Sequence, residues 1–299
     1  MAATRKPDPT DADGARDLGF RPADPALATT LTEAQVDHYN RQGYLGGLNV
    51  FERAAADELR SYFDALIDEV VLAADRRNSY SINSYHVVCE PLHDLATNDR
   101  IVALATDIIG REAVLWGSHL FAKLPGDPKE VPFHQDGIYW PLTPSKSVTV
   151  WLAIDDVDAD NGAMQFVPGT HVLGPLAHDE LTLDGTRVLG RQVHDIGQYG
   201  PLRFVNELRA GQCSLHSDML LHGSAPNMSN RRRAGMTLRY CAADVRLLEG
   251  WEHWTRTAVH VADGDPSGFW NDWRRPEGSH PEQMATVWGD FDGTPIDAP

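Results

Sequence analysis

The segment His134-Gln135-Asp136 places an imidazole and a carboxylate two residues apart. In a β-strand, residues i and i+2 point to the same side, so both groups could bind one metal ion. A distant second histidine would complete a set of two histidines and one carboxylate, which suits Fe(II) and leaves coordination positions open. The motif alone is weak evidence, because an isolated His-x-Asp is more often an exposed polar pair.

Two downstream histidines, His216 and His222, are candidates for the second imidazole ligand. They are six residues apart, and an even offset would put both on one face of a strand, so alternation does not choose between them. The Gly-Ser pair after His222, and Arg233 eleven positions beyond it, favour His222. The second His-x-Asp segment, His216-Ser217-Asp218, is then interpreted as structural.

The elements that must position these residues change in character at Gly110. Before it, apolar residues recur at helical spacing and predict helices over 32–42 (ending at Gly43), around 59–70 and over 92–109. After it, short β-branched and aromatic runs alternate with Pro and Gly turns, which favours a β-sandwich or barrel with an N-terminal helical layer. The predicted strands are 113–116, 119–124, 148–154, 163–167, 212–215 and 236–241.

Length and charge limit the remaining possibilities. The 299 residues are predicted to form a flexible N-terminal arm (1–30) and one domain (31–299), whose segment after about 249 is rich in tryptophan. The net charge of −17 disfavours nucleic acids and anionic membranes as partners. No apolar run is long enough to span a bilayer or to serve as a secretory signal, so we expect a cytoplasmic protein. Its three cysteines are expected to be reduced thiols.

Taken together, the motifs resemble the phytanoyl-CoA dioxygenase family of Fe(II)- and 2-oxoglutarate-dependent oxygenases. The resemblance covers roughly 31–240 and implies a double-stranded β-helix (jelly-roll) core. The segments that carry it are His134-Gln135-Asp136 with the preceding 121–133, Trp151, Asp160-Asn161-Gly162, the run 166–171, and the run 221–233 that contains His222, Ser224 and Arg233.

The resemblance implies a role for each matching residue. His134, Asp136 and His222 would bind Fe(II), and Arg233 with Ser224 would bind the distal carboxylate of 2-oxoglutarate. Trp151 and Gln135 match residues beside the cosubstrate, and Lys123 lies where some relatives have polar cosubstrate contacts. Arg231 and Arg232 are interpreted as a solvated basic run.

The implied activity is hydroxylation of an unactivated C–H bond of a small metabolite by O2, with release of succinate and CO2. Asp136 is present, whereas related halogenases have a small residue there, so we expect a hydroxylase. A cupin-like isomerase or binding protein without 2-oxoglutarate chemistry is the alternative, and an oxygenase that modifies macromolecules is a third. The oligomeric state is expected to be a monomer or a homodimer.

The substrate is left open by the sequence. An amino acid, an aminophosphonate or a natural-product intermediate would fit, whereas a long acyl-CoA would lack basic partners outside 231–233. Candidate substrate contacts are Tyr139, Trp140, His86 and Arg239.

Overall fold

A computed structural model describes residues 16–72, 82–182, 185–201 and 203–287 of the chain. The first half of the predicted arm and Trp288 of the Trp-rich segment therefore lie outside the described residues. Among the described residues, no helix combines the length and the apolar character needed to cross a bilayer.

The helices precede most of the strands, as the sequence predicts. Thr32 caps the first helix through a reciprocal capping box with Gln35, and Gly43 ends it in a left-handed conformation. The predicted helix over 92–109 is wrong in one respect, because it is two helices. Asn98 caps the second of them by accepting hydrogen bonds from the backbone N–H groups of Arg100 and Ile101. The α-helices are α1 (Glu33–Gln42), α2 (Arg53–Leu72), α3 (Glu90–Ala96), α4 (Asp99–Ile109), α5 (Asp136–Tyr139) and α6 (Met284–Val287).

The strands fall largely where β-branched and aromatic runs predicted them. The two runs predicted over 113–116 and 119–124 form one continuous strand, since Gly117 and Ser118 continue the pairing instead of turning. The strands are β1 (Tyr44–Asn49), β2 (Ile82–Asn83), β3 (Glu112–Lys123), β4 (Val131–His134), β5 (Leu142–Thr143), β6 (Ser147–Ala153), β7 (Met164–Phe166), β8 (His178–Glu180), β9 (Arg191–Val193), β10 (Phe204–Val205), β11 (Gln212–Ser217), β12 (His222–Ser224), β13 (Arg233–Ala242), β14 (Arg246–Leu247) and β15 (Val259–Ala262).

Two antiparallel sheets form the centre of the domain. The larger has the order β1-β11-β6-β13-β3-β15, with β2 also paired to β3, and the smaller has the order β10-β7-β12-β4. Every residue of β6 and of β13 is buried, because helices cover one side of the large sheet and the small sheet faces the other. Neighbours in this order are distant in sequence, so the inner surfaces combine residues from all parts of the chain.

The described residues between 16 and 30 run along this core. Arg16 donates hydrogen bonds to the carbonyl oxygens of Trp140 (2.6 Å) and Leu142 (3.2 Å), and Leu18 is buried against Ile138 and Met219. The carboxylate of Asp107 accepts three backbone N–H groups from residues 29–31. Flexibility of the arm stays a prediction for residues 1–15.

Asp155, just after β6, joins the helical layer to the large sheet. Its buried carboxylate accepts hydrogen bonds from Arg232 (2.8 and 3.1 Å) and from the backbone N–H of Ala234 (2.8 Å), and it forms an ion pair with Arg60 of α2 (3.0 Å). A buried carboxylate with this many donors stabilises the fold through its partners, which would otherwise lie unpaired.

We expect Asp155→Ala to lower the free energy of unfolding by roughly 3 kcal/mol, because it leaves Arg232 without its buried partner. Urea denaturation of both proteins measures the change. Asp263→Ala, which removes an exposed carboxylate paired with Arg111 (2.8 Å), is the matched control and should change stability little. Equal losses in the two variants would contradict the role given to Asp155.

Candidate active site

Two histidines and one carboxylate meet between the smaller sheet and α5. His222 at the start of β12 lies opposite His134 at the end of β4, and Asp136 begins α5. Asp136 Oδ1 is 3.3 Å from Nε2 of His134 and 3.9 Å from Nε2 of His222. One ligand atom from each residue lies within 4.8 Å of the others, which is close enough for all to share one cation.

Backbone carbonyls orient both imidazole rings. Nδ1 of His134 donates to the carbonyl of Pro132 (2.8 Å), and Nδ1 of His222 donates to that of Leu220 (2.9 Å). The proton is therefore assigned to Nδ1 in each ring, so the Nε2 lone pairs face the carboxylate. This is the arrangement usual for metal-binding histidines.

The protonation states also suit a divalent cation. Burial, with the neighbouring His134, lowers the pKa of His222 to about 3, so its ring is neutral. Burial acts to raise the pKa of Asp136, but the surrounding His222, His134 and His216 outweigh it and hold that pKa well below its usual range. Neutral imidazoles and an ionised carboxylate are the forms that bind metal, so this donor set fits a metal such as Fe(II).

The competing histidine, His216, also reaches this site, although from the other sheet. The expectation that His216 and His222 share one strand is wrong, since they lie on β11 and β12, which belong to different sheets. His216 Nε2 is 3.7 Å from Asp136 Oδ2, on the oxygen that His134 does not contact. It flanks the carboxylate, while the cluster of potential ligands comprises His134, Asp136 and His222.

The cluster opens into a cavity between the two sheets. Register places alternate residues of the large sheet on its inner surface, since Arg233 pairs with Lys123, Thr237 with Trp151 and Arg239 with Thr149. The lining from this sheet is Phe121, Lys123, Trp151, His216, Thr237 and Arg239 together with Arg233. The metal cluster and several cationic side chains therefore share one cavity.

Arg233 and Lys123 lie together on this lining. The guanidinium of Arg233 donates to the carbonyl of Gly162 (3.1 Å) and to Ser224 Oγ (3.3 Å), and it lies over the ring of Trp151 (5.5 Å). Lys123 Nζ donates to the carbonyl of Ser224 (3.3 Å), and burial together with Arg233 lowers its pKa to about 6. A buried guanidinium, a neighbouring amine and a hydroxyl form a site suited to a carboxylate.

Sequence reasoning missed Gly235, which permits this arrangement. A Cβ atom at this position would lie 2.0 Å from the Trp151 ring, so only glycine lets the indole lie flat against β13. A glycine inside a predicted strand is the signal that could have indicated such a close approach. Gly162 also takes part, since its carbonyl accepts a hydrogen bond from Nε of Arg233.

The other two arginines of the run do not line the cavity, but the expectation that both are solvated is wrong for Arg232, whose side chain is only 16% exposed. Arg231 forms an exposed ion pair with Asp158 (2.7 Å), whereas Arg232 pairs with the buried Asp155. Of the three arginines of the run, Arg233 is therefore the one that faces the cavity.

Two of the predicted site residues face away from the cavity. The Gln135 amide donates to the carbonyls of Gly174 and Met219 and accepts from the N–H of Leu176, so it supports the loop behind the metal cluster and makes no contact with the cavity. Its neighbours His134 and Asp136 face inward, and the extended backbone of Gln135, between β4 and α5, turns its side chain outward.

The expectation for His86 is also corrected. Its ring nitrogens hydrogen-bond with Ser118 Oγ and with the carbonyl of Thr257, both at 2.7 Å, and burial lowers its pKa to about 4. Neither nitrogen is available to a substrate, so His86 is a satisfied core residue.

The remaining substrate candidates lie close to the cavity. Tyr139 stacks edge-on against the His134 ring and donates to the carbonyl of Arg191 (3.1 Å). Arg239 lines the cavity, and its guanidinium lies over the rings of Trp140 (5.2 Å) and Trp116 (5.6 Å). Trp140 thus borders the cavity through Arg239.

Asp218 of the second His-x-Asp segment is structural. Its buried carboxylate accepts hydrogen bonds from Ser145 Oγ (2.8 Å) and Ser217 Oγ (3.2 Å), and its carbonyl accepts the N–H of Gly137 (2.7 Å). Burial, assisted by the charge of Asp136, raises its pKa to about 6.

Comparison with known proteins finds relatives that are named dioxygenases and hydroxylases. Residues 39–235 match the family described as Phytanoyl-CoA dioxygenase (PhyH). A probable alpha-ketoglutarate-dependent hypophosphite dioxygenase of Stutzerimonas stutzeri is 29% identical over 56% of this chain and 59% of its own length. A methylphosphonate hydroxylase of Gimesia maris is 24% identical over 75% of this chain and 84% of its own. The chain thus spans less than two thirds of the first of these relatives.

A solved structure confirms the predicted jelly-roll core. The apo form of the non-heme monooxygenase ThoJ superimposes with a TM-score of 0.69 at 20% identity, covering 85% of this chain and 93% of that one. At this identity the likeness concerns the fold.

We expect Asp218→Asn to be more favourable to stability at pH 8 than at pH 4. The folded protein raises the pKa of Asp218 from its ordinary 3.8 to about 6, so the stability that this group contributes at low pH is lost as pH rises through that window. Asparagine stays neutral and avoids this loss. Melting temperatures of both proteins at the two pH values measure the effect, and a difference independent of pH would contradict it.

Proposed function

The chain belongs to the phytanoyl-CoA dioxygenase family, and from this premise we propose that it is an Fe(II)- and 2-oxoglutarate-dependent dioxygenase that hydroxylates a C–H bond of a small molecule. One observation carries the proposal. The His134-Asp136-His222 cluster and the Arg233-Ser224 pair line a single cavity, which provides a metal site and a carboxylate site together. The cupin-like alternative needs only the first of these.

The metal would be held by His134, Asp136 and His222. Bound iron and 2-oxoglutarate would supply the activation of O2, with release of succinate and CO2. The carbonyl partners of the two imidazoles keep the Nε2 atoms aimed at the metal without rearrangement. Because Asp136 supplies the third protein ligand, the proposed reaction is hydroxylation and not halogenation.

The chain's own residues would position the cosubstrate. Arg233 presents a planar pair of N–H groups for the distal carboxylate of 2-oxoglutarate, and Ser224 adds a hydroxyl. Trp151 covers the guanidinium on one side, and Gly162 fixes its Nε–H. The apolar side chains of Phe121, Val131 and Met164 complete the lining and would restrict water near the reacting groups.

The substrate is proposed to be a small metabolite. The cavity volume is shared with the cosubstrate, so little space remains for a long chain. The two relatives reported above are named for small phosphorus compounds, which favours the aminophosphonate among the candidates, beside an amino acid or a natural-product intermediate.

The remaining proposals concern partners and location. The net charge of −17 argues against nucleic acids and anionic membranes. A cytoplasmic location agrees with three cysteines that are buried and unpaired. Either a monomer or a homodimer is proposed.

Asp136→Ala is expected to abolish stoichiometric Fe(II) binding in anaerobic equilibrium dialysis, because two imidazoles remain without a carboxylate. Asp179→Ala is the matched control, since it breaks an exposed pair with His194 (2.9 Å) and neither residue lines the cavity. Retention of one iron per chain in Asp136→Ala would contradict the ligand assignment.

Arg233→Gln is expected to weaken 2-oxoglutarate binding by about ten- to a hundredfold, because it removes a charge-assisted bidentate contact. The measurement is anaerobic titration of the Fe(II) protein, followed by the weak visible band that appears when 2-oxoglutarate chelates the iron. Arg231→Gln, at an exposed ion pair, is the control and should bind normally.

The outcomes separate the hypotheses. Weakening in Arg231→Gln instead of Arg233→Gln would place the carboxylate site elsewhere. Absence of the band in wild-type protein that holds iron would contradict the proposed function and favour the cupin-like alternative.

A further inference from the structure

Arg239 is a buried cation that the proposed chemistry does not use. It lines the cavity that contains the metal cluster, and it is 4% exposed. Its guanidinium lies between 5 and 6 Å from the ring centroids of Trp140 (5.2 Å) and Trp116 (5.6 Å). Within the described part of the chain, it forms no hydrogen bond or ion pair, and its Nε atom is buried without an acceptor. A buried charge in this state is costly unless a ligand pairs with it.

Neighbouring polar groups on the same face of the sheet are unsatisfied as well. Thr149 lies directly between Arg239 and His216 in the paired strands β13, β6 and β11. Thr149 Oγ1 and His216 Nδ1 are buried and lack hydrogen-bond partners among the described residues. The indole N–H groups of Trp116 and Trp140 are likewise unpartnered. Several potential hydrogen-bonding groups of this kind beside one guanidinium suit a ligand with more than one acceptor oxygen.

The charges of the proposed reaction leave Arg239 without a counter-ion. A divalent metal with the carboxylate of Asp136, and the 2-oxoglutarate dianion with Arg233, form a set without net charge. Arg239 is then the unbalanced cation of the lining, with Lys123 largely neutral because its pKa is about 6. Arg233 and Arg239 are six residues apart on one strand, so their backbones are about 20 Å apart and they address different groups.

We propose that Arg239 binds an anionic group of the substrate, so that the substrate class is a small organic carboxylate or phosphonate. This inference rests on the proposed function and specifies its substrate. The guanidinium lies over the rings of Trp116 and Trp140, which supply no in-plane acceptor, so its N–H groups remain for paired oxygens of a ligand. The anchored anion would keep the rest of the molecule beside the metal cluster.

The test is calorimetric titration of the full-length Fe(II)- and 2-oxoglutarate-loaded protein under anaerobic conditions. The probes are methylphosphonate, propionate and the neutral dimethyl methylphosphonate. We expect at least one anion to bind and the neutral ester not to bind. Arg239→Gln should weaken binding of that anion at least about tenfold, while the 2-oxoglutarate band stays unchanged. Arg111→Gln, at an exposed ion pair, is the charge-matched control and should bind as wild type does.

The outcomes identify the anionic group of the substrate, and they test the role of Arg239 separately from the proposed dioxygenase function. Binding of methylphosphonate alone identifies a phosphonate, and binding of propionate alone a carboxylate. Equal affinity of wild type and Arg239→Gln, or no anion binding by wild type that shows the band, would overturn the inference. Absence of the visible band would contradict the proposed function, and this absorption signal is separate from the calorimetric signal of anion binding.

A second variant keeps the test valid if Arg239→Gln does not fold. Arg239→Lys retains a cation beside the two indoles but loses the planar pair of N–H groups. We expect it to weaken anion binding with a melting temperature close to that of wild type. Wild-type affinity in Arg239→Lys would contradict the paired contact.

Discussion

The position of His222 opposite His134 across β12 and β4 is the constraint on which the site depends. This register brings two imidazoles to one side of the small sheet, where Asp136 follows two residues after His134. A slip of one residue would turn His222 to the opposite face and leave the carboxylate with a single histidine from this sheet. Backbone carbonyls then orient both rings, so both Nε2 atoms face the carboxylate of Asp136.

The large sheet supplies the opposite side of the cavity and most of its charge. Alternation along β13 directs Arg233, Gly235 and Arg239 inward, and each has a distinct role that follows from its neighbours. Arg233 meets Ser224 and the turn at Gly162, Gly235 makes room for Trp151, and Arg239 meets two indoles. A single strand therefore carries both the proposed cosubstrate site and the proposed substrate anchor.

The same alternation explains how adjacent arginines serve different purposes. Arg232 points away from the cavity and pairs with Asp155, which joins α2 to the sheet, while Arg233 points into the cavity. The link between α2 and the sheet and the location of the cavity's charge thus originate in adjacent residues of the chain. Asp218 also supports the site from outside the cavity, because its carbonyl accepts the N–H of Gly137 at the start of α5.

The sequence itself determined the bounds of α1 and most of the residues that form the candidate site. The capping residues Thr32 and Gly43 bound α1 correctly, and the spacing of His134, Asp136, His222 and Arg233 selected residues that do line one cavity. Such signals are local, or depend on motifs whose members have fixed offsets. The break at Asn98 was missed because apolar periodicity continues across it on both sides.

Only the tertiary structure decided which polar side chains face the cavity. Gln135 and His86 are polar residues near site motifs, yet each is satisfied by backbone or core partners. His216 and His222 appeared to share a strand but reach Asp136 from different sheets. Arg239 has no hydrogen-bond acceptor among the described residues because its neighbours are the indoles of Trp116 on β3 and Trp140 just after α5. Cavity lining depends on strand register between segments distant in sequence, and spacing along the chain does not contain that information.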